Sequence, residues 1–124
     1  MSIDKPEIDF PDGPAPSDLE IVDIWEGEGP EAKAGATVSV HYVGVAFSTG
    51  EEFDASWNRG TPLQFQLGAG QVIAGWDQGV QGMKVGGRRK LTIPSHLAYG
   101  ERGAGGGRIA PGETLIFVCD LVGV

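Results

Sequence analysis

From residue 36 onward the apolar residues alternate with polar ones in short runs, and nearly every run is closed by a turn signal. Such a chain folds most readily into short strands joined by tight connections. Over residues 36–47, Val38, Val40 and Tyr42 fall on one face and Thr37, Ser39 and His41 on the other. Ser48-Thr49-Gly50 reads as a turn. Residues 51–56 carry one large apolar residue, Phe53. Leu63, Phe65 and Leu67 then alternate with Pro62, Gln64 and Gln66, a half-buried strand with Pro62 as its first residue or at an edge. Arg89, Leu91 and Ile93 alternate with Arg88, Lys90 and Thr92. Residues 114–121 are apolar on both faces, with Leu115, Phe117, Cys119 and Leu121 opposite Thr114, Ile116 and Val118, which suggests a central strand. Residues 19–25 supply a possible further strand, making five or six in an antiparallel sheet.

One stretch has the helical period instead. Ile73, Trp76, Val80 and Met83 stand at i, i+3, i+7 and i+10, one stripe of a short helix. Gly75, Gly79 and Gly82 weaken it by up to about 1 kcal/mol each relative to alanine. It therefore has to be held by packing, and the missing side chains let it lie close to a sheet. Gly75 and Gly79 have the spacing of a transmembrane pairing motif but lack the apolar 20-residue setting it needs.

Glycine and proline make up 29 of the 124 residues, just under the roughly 25–30% at which composition alone suggests disorder. The 40% apolar content suits one core. Charge is distributed unevenly. Residues 1–31 hold ten acids against Lys5, while the remaining 93 residues are nearly balanced at +1. A neutral body disfavours nucleic-acid partners, which call for a concentrated basic face, and a polybasic membrane anchor. No apolar run reaches the roughly 18 residues that span a bilayer, and the acidic, proline-bearing start does not resemble a signal peptide. The expectation is a cytoplasmic protein, with no membrane association. Residues 1–17 hold four prolines and little apolar periodicity, so a flexible acidic tail is expected there, although Ile8 and Phe10 offer a latch onto the body.

Familiar catalytic machinery is scarce. There is no Gly-x-Ser-x-Gly elbow. His41, His96 and Cys119 lack the paired spacing of zinc ligands, and Cys119, between Phe117 and Leu121, reads as a buried small hydrophobe. Residues 100–107 are glycine-rich without the Gly-Lys-Ser/Thr ending of a phosphate cradle. Arg88-Arg89-Lys90 reads as a solvated strand edge. Neither a metal nor a cofactor is implied.

Aromatic residues are better supplied: Tyr42, Phe53, Phe65, Trp76, Tyr99 and Phe117 each fall at the start, end or inner face of an expected element. Their surroundings are Val40-His41-Tyr42-Val43-Gly44, Phe53-Asp54-Ala55-Ser56, Gln71-Val72-Ile73-Ala74-Gly75-Trp76-Asp77-Gln78-Gly79-Val80, Met83-Lys84-Val85-Gly86, Ala98-Tyr99-Gly100 and Thr114-Leu115-Ile116-Phe117. In this order and spacing the strings resemble the FKBP-type peptidyl-prolyl cis/trans isomerases, the macrolide-binding immunophilins, over roughly residues 19–124.

The resemblance implies an α+β fold, a curved antiparallel sheet of five to six strands wrapped around one short α-helix, with an isomerase domain over residues 18–124. It implies an apolar pocket with Trp76 as floor and Tyr42, Phe53, Phe65 and Phe117 as walls. Val72 and Ile73 match the mouth, the Ile73 N–H matches a donor to a ligand carbonyl, and Tyr99 matches a second donor. Asp54 matches the pocket carboxylate with Arg59 beside it, and Ile109 matches a residue of the covering loop. Leu63 stands where the family often has an aromatic residue, and Ile109-Ala110-Pro111 where it often has two prolines. The implied partners are proline-containing polypeptides and macrolides such as tacrolimus and rapamycin, bound by a monomer. Two other readings use the same residues: a module that binds proline segments or macrolides with incidental activity, and a folding helper, for which the chain has little room.

Overall fold

The computed structural model describes residues 5–8, 13–104 and 109–124. Six strands form one antiparallel sheet: β1 (Glu20–Trp25), β2 (Thr37–Ala46), β3 (Glu52–Ala55), β4 (Leu63–Gln66), β5 (Arg88–Ile93) and β6 (Leu115–Gly123). Among the described residues one α-helix, α1 (Ala74–Gly79), lies between β4 and β5 in the chain. The sheet order is β1-β5-β6-β2, and both β3 and β4 pair with the outer side of β2. β6 sits between β5 and β2 and is buried over Leu115 to Leu121, as its two-sided apolar pattern predicts.

The outer edge of β2 is shared. β4 takes its first half, from Thr37 opposite Gln66 to Val40 opposite Leu63, and β3 takes its second, with Val43 opposite Ala55 and Gly44 opposite Asp54. His41 and Tyr42 fall in the gap, where a strand partner for Tyr42 N–H is missing. The buried Ser56 hydroxyl supplies it, accepting Tyr42 N–H at 2.7 Å and lying 3.4 Å from the Tyr42 carbonyl. A buried amide left unpaired costs about 1–3 kcal/mol, so Ser56 is what lets the edge divide. His41 Nδ1 meets the same hydroxyl at 2.8 Å, and its ring stacks on Trp57 at 4.2 Å.

The helix is shorter than its stripe. It ends at Gly79 with Val80 as its cap, and Met83 is reached through a turn at Gly82 (φ +89°). Met83 is nonetheless buried with Trp76 and Val80. Close packing holds so short a helix: a Cβ on Gly75 would stand 2.5 Å from Ile93 Cγ2, and one on Gly79 2.7 Å from Leu91 Cδ2. Asp77 fastens the preceding loop by accepting Gly68 N–H and Gly70 N–H, both at 2.9 Å.

One expectation is corrected. Arg88-Arg89-Lys90 is no solvated edge, because β1 pairs outside β5. Arg88 donates to the buried Asp120 at 2.7 Å and lies over the Trp25 ring. Arg89 donates to Asp23 at 2.7 Å and to the helix-end carbonyls of Gly79 and Gln81 at 2.8 and 3.0 Å, satisfying acceptors that a helix terminus leaves open. In the N-terminal segment Pro6 and Ile8 are half-buried and, with Val43 and Val45, border an open cleft, while Lys5 and Glu7 are exposed. Phe10 lies outside the described residues.

Candidate functional site

Where β2, β3, β6 and the start of α1 converge, the concave side of the sheet opens into a cavity of about 420 Å³. Tyr42 comes from the gap in the β2 edge, Phe53 and Asp54 from β3, Phe117 from β6 and Trp76 from the first turn of α1. Leu63, Val72, Ile73 and Tyr99 complete the expected part of the lining, together with Gln71. The rings meet edge to face: Trp76 and Phe117 at 5.3 Å, Tyr42 and Trp76 at 4.9 Å, Phe53 and Phe117 at 5.5 Å. This arrangement sets the positive ring edge against the negative face. Gly44 makes room for it, since a Cβ there would stand 2.6 Å from Phe53 and 2.7 Å from Phe117.

The polar side of the cavity is a closed cluster. Tyr42 Oη donates to Asp54 Oδ2 at 2.5 Å, Arg59 Nη1 donates to Asp54 Oδ1 at 2.8 Å, and Arg59 Nη2 donates to Tyr42 Oη at 2.7 Å. The 3₁₀ turn Ser56–Asn58 brings Arg59 back against Asp54. Burial would raise the Asp54 pKa, but the hydrogen bonds from Tyr42 and Arg59 outweigh it and hold the carboxyl below its usual range. Burial, then the bond to Asp54, pushes the Tyr42 phenol up. Near neutral pH the carboxylate is therefore an anion and the phenol neutral, each committed to the other. Neither is poised to exchange a proton with a ligand.

Further hydrogen-bond donors line the cavity at Ile73, Tyr99 and Trp76. Ile73 is the N-cap of α1: its carbonyl accepts Trp76 N–H and Asp77 N–H, and its own N–H has no acceptor among the described residues. Tyr99 is 39% exposed, its phenol raised by burial and by the charge of Asp54. The Trp76 indole N–H, at the buried floor, has no partner among the described residues.

Three expected residues stand off the cavity surface. Phe65 is buried behind Trp76, ring centroids 5.7 Å apart, and so supports the floor instead of forming a wall. Arg59 is not part of the lining and contacts it through its hydrogen bonds to Asp54 and Tyr42. Ile109 is buried in the core and exchanges backbone hydrogen bonds with Ala104 at 3.0 Å; residues 105–108 lie outside the described ones. Gln71 was missed. Its Oε1 accepts Gln66 N–H at 2.8 Å, and its position beside Val72 in the mouth motif was the available signal.

Comparison with known proteins agrees with this geometry. Residues 29–122 match the family model for the FKBP-type peptidyl-prolyl cis-trans isomerase. The FK506-binding protein of Streptomyces anulatus is 85% identical over 124 residues, the full length of both chains. The probable FK506-binding protein of Corynebacterium glutamicum is 57% identical, covering 97% of this chain and 98% of its own. The crystal structure of AtFKBP13 superposes with a TM-score of 0.78 at 46% identity, over 88% of this chain and 94% of that one. The chain belongs to the FKBP-type peptidyl-prolyl cis-trans isomerases.

Proposed function

We propose that the cavity between β2, β3, β6 and α1 takes the X–Pro segment of a polypeptide and accelerates rotation about its peptide bond, assisting protein folding. The supporting observation is that its walls are aromatic while its charged groups, Asp54, Arg59 and Tyr42, satisfy one another. Rotation breaks C–N resonance at a barrier of about 18–20 kcal/mol, and X–Pro bonds take tens to hundreds of seconds to isomerise unaided. The planar amide is more charge-separated than the twisted one. Transfer from water to an aromatic wall therefore raises the ground state more than the transition state. Lowering the barrier by about 5 kcal/mol gives several thousandfold. Tyr42, Phe53, Trp76 and Phe117 supply that environment. Ile73 N–H and Tyr99 Oη hold the substrate carbonyls in the strained geometry, Leu63, Val72 and Phe65 shape or back the walls, and Ile109 anchors the covering segment. Asp54 acts electrostatically, with Arg59, and no residue shuttles a proton.

Macrolides occupy the same cavity in this reading, in keeping with relatives named for binding FK506. Residues 18–124 form the isomerase domain, acting as a cytoplasmic monomer, with residues 1–17 as an acidic N-terminal arm.

The test is the cis-to-trans rate of a short Leu-Pro or Phe-Pro peptide with the protein present, with and without FK506. Acceleration suppressed by the macrolide supports catalysis in this cavity. A folded sample that binds the macrolide without accelerating the peptide would overturn it in favour of a binding module.

A further inference from the structure

Lys5 is the one basic residue among the first 31, set among ten acids, and the cavity chemistry above makes no use of it. Its ammonium reaches the segment that carries the charged cluster. Lys5 Nζ lies 2.8 Å from Glu52 Oε1 and donates to Asn58 Oδ1 at 3.2 Å, while Asn58 Nδ2 donates to Glu52 Oε2 at 3.1 Å. Three side chains thus close a ring. Glu52 opens β3 and Asn58 ends the 3₁₀ turn, so the ring joins the two ends of a bracket containing Phe53, Asp54 and Ser56, with Arg59 the next residue along. Next to Lys5, Pro6 and Ile8 are half-buried and border an open cleft together with Val43 and Val45.

Charge balance gives the ring a second effect. Glu52 and Asp54 stand two apart on β3, close enough that the charge of Asp54 opposes ionisation of Glu52. Arg59 pairs with Asp54, and Lys5 supplies the matching cation for Glu52. Burial alone would raise the Glu52 pKa, yet the hydrogen bonds from Lys5 and Asn58 bring it below the usual range. Without Lys5, two neighbouring carboxylates share the single Arg59 guanidinium, and Asn58, adjoining that arginine, loses a partner.

We propose that Lys5 is a positioning residue: through it the N-terminal arm clamps residues 52–58, holds Asp54 and Arg59 against Tyr42, and so sets the efficiency of isomerisation. This rests on the functional reading above.

The test uses the full chain with Lys5→Met, Lys5→Arg and the charge swap Lys5→Glu with Glu52→Lys. Peptide kcat/KM is measured alongside the NMR resonances of Arg59 Nε–H and the Tyr42 amide. Lys5→Met should lower kcat/KM about two- to fivefold, the range an exposed ion pair commands, and shift both resonances. Lys5→Arg and the charge swap should restore them, and 1 M salt should bring the wild type toward Lys5→Met. Wild-type kcat/KM with unmoved resonances in Lys5→Met, or a loss that neither restoring variant recovers, would overturn the clamp. Absence of acceleration by the wild type overturns the functional reading instead, and the resonances alone then decide whether Lys5 positions Arg59.

Discussion

At the scale of single residues, the hydrogen bonds around Asp54 decide what its removal should do. Because Tyr42 and Arg59 both donate to it, Asp54→Ala takes away an electrostatic partner and no proton carrier. Activity should fall about tenfold, the worth of roughly one charge-assisted hydrogen bond at 1.36 kcal/mol per tenfold. Complete loss in a correctly folded sample would instead require proton transfer. The depressed Asp54 pKa gives a second expectation. A carboxyl whose folded pKa lies below its unfolded value of about 4 contributes fully above that value, and the contribution is lost as pH falls through the depressed one. The ratio of wild-type to Asp54→Asn kcat/KM should therefore stay constant from about pH 5 to 9 and approach unity only at more acid pH. A ratio that titrates near neutrality would contradict this. The pairing of Asp54 with Arg59 was legible in the family motif, five residues apart. The role of Ser56 was not, because a hydroxyl that replaces a strand partner leaves no periodic mark. Phe65 was misplaced for a related reason: alternation says that a ring faces inward, but not whether another ring stands between it and the cavity.

At the scale of elements, glycine in α1 opposes local preference to tertiary fit. Gly75→Ala would favour an isolated helix by about 1 kcal/mol, yet its Cβ would stand 2.5–2.9 Å from three side-chain atoms of the fully buried Ile93. Overpacking of this kind costs about 1–3 kcal/mol, so the variant should be destabilised by about 1 kcal/mol in urea unfolding. In an Ile93→Ala background, where the clashing atoms are gone, the same substitution should become stabilising. A Gly75→Ala change that stabilises the wild type would show that the helix stands further from β5 than these distances require. The need for close approach was readable from three glycines in an apolar stripe. Helix length was not, because Met83 continues the stripe while a turn at Gly82 has already ended the helix. The β5 charges misled for a different reason. Arg88 and Arg89 sit on an interior strand because Asp120 and Asp23 neutralise them from the strands on either side, and those partners are 32 and 66 residues away. Local pattern identifies a strand, but its place in the sheet depends on pairings of that reach.

At the scale of the whole molecule, the cavity is formed where the sheet and the helix meet, so occupancy and stability are linked. Trp76 is 3% exposed, lies in α1 and touches rings from β2, β4 and β6. Its truncation in Trp76→Ala should cost about 3–5 kcal/mol and remove the floor together with the helix's ring contacts to β2, β4 and β6. The antiparallel sheet was legible from short alternating runs and its curvature only through the family resemblance, whereas the divided edge of β2 that opens the cavity depends on where β3 and β4 each stop. A ligand held between those elements binds the folded state and not the unfolded chain. FK506 at one hundred times its Kd should then add about 2.7 kcal/mol of stability, raising Tm by roughly 10 °C for a chain of this size. Tyr99 makes the origin of that shift testable. It lines the cavity but is 39% exposed and lies outside the buried core, so Tyr99→Ala should leave the ligand-free Tm close to wild type while cutting the FK506-induced rise by more than half. An undiminished rise in that variant would mean that the macrolide stabilises the fold from somewhere other than the cavity between β2, β3, β6 and α1.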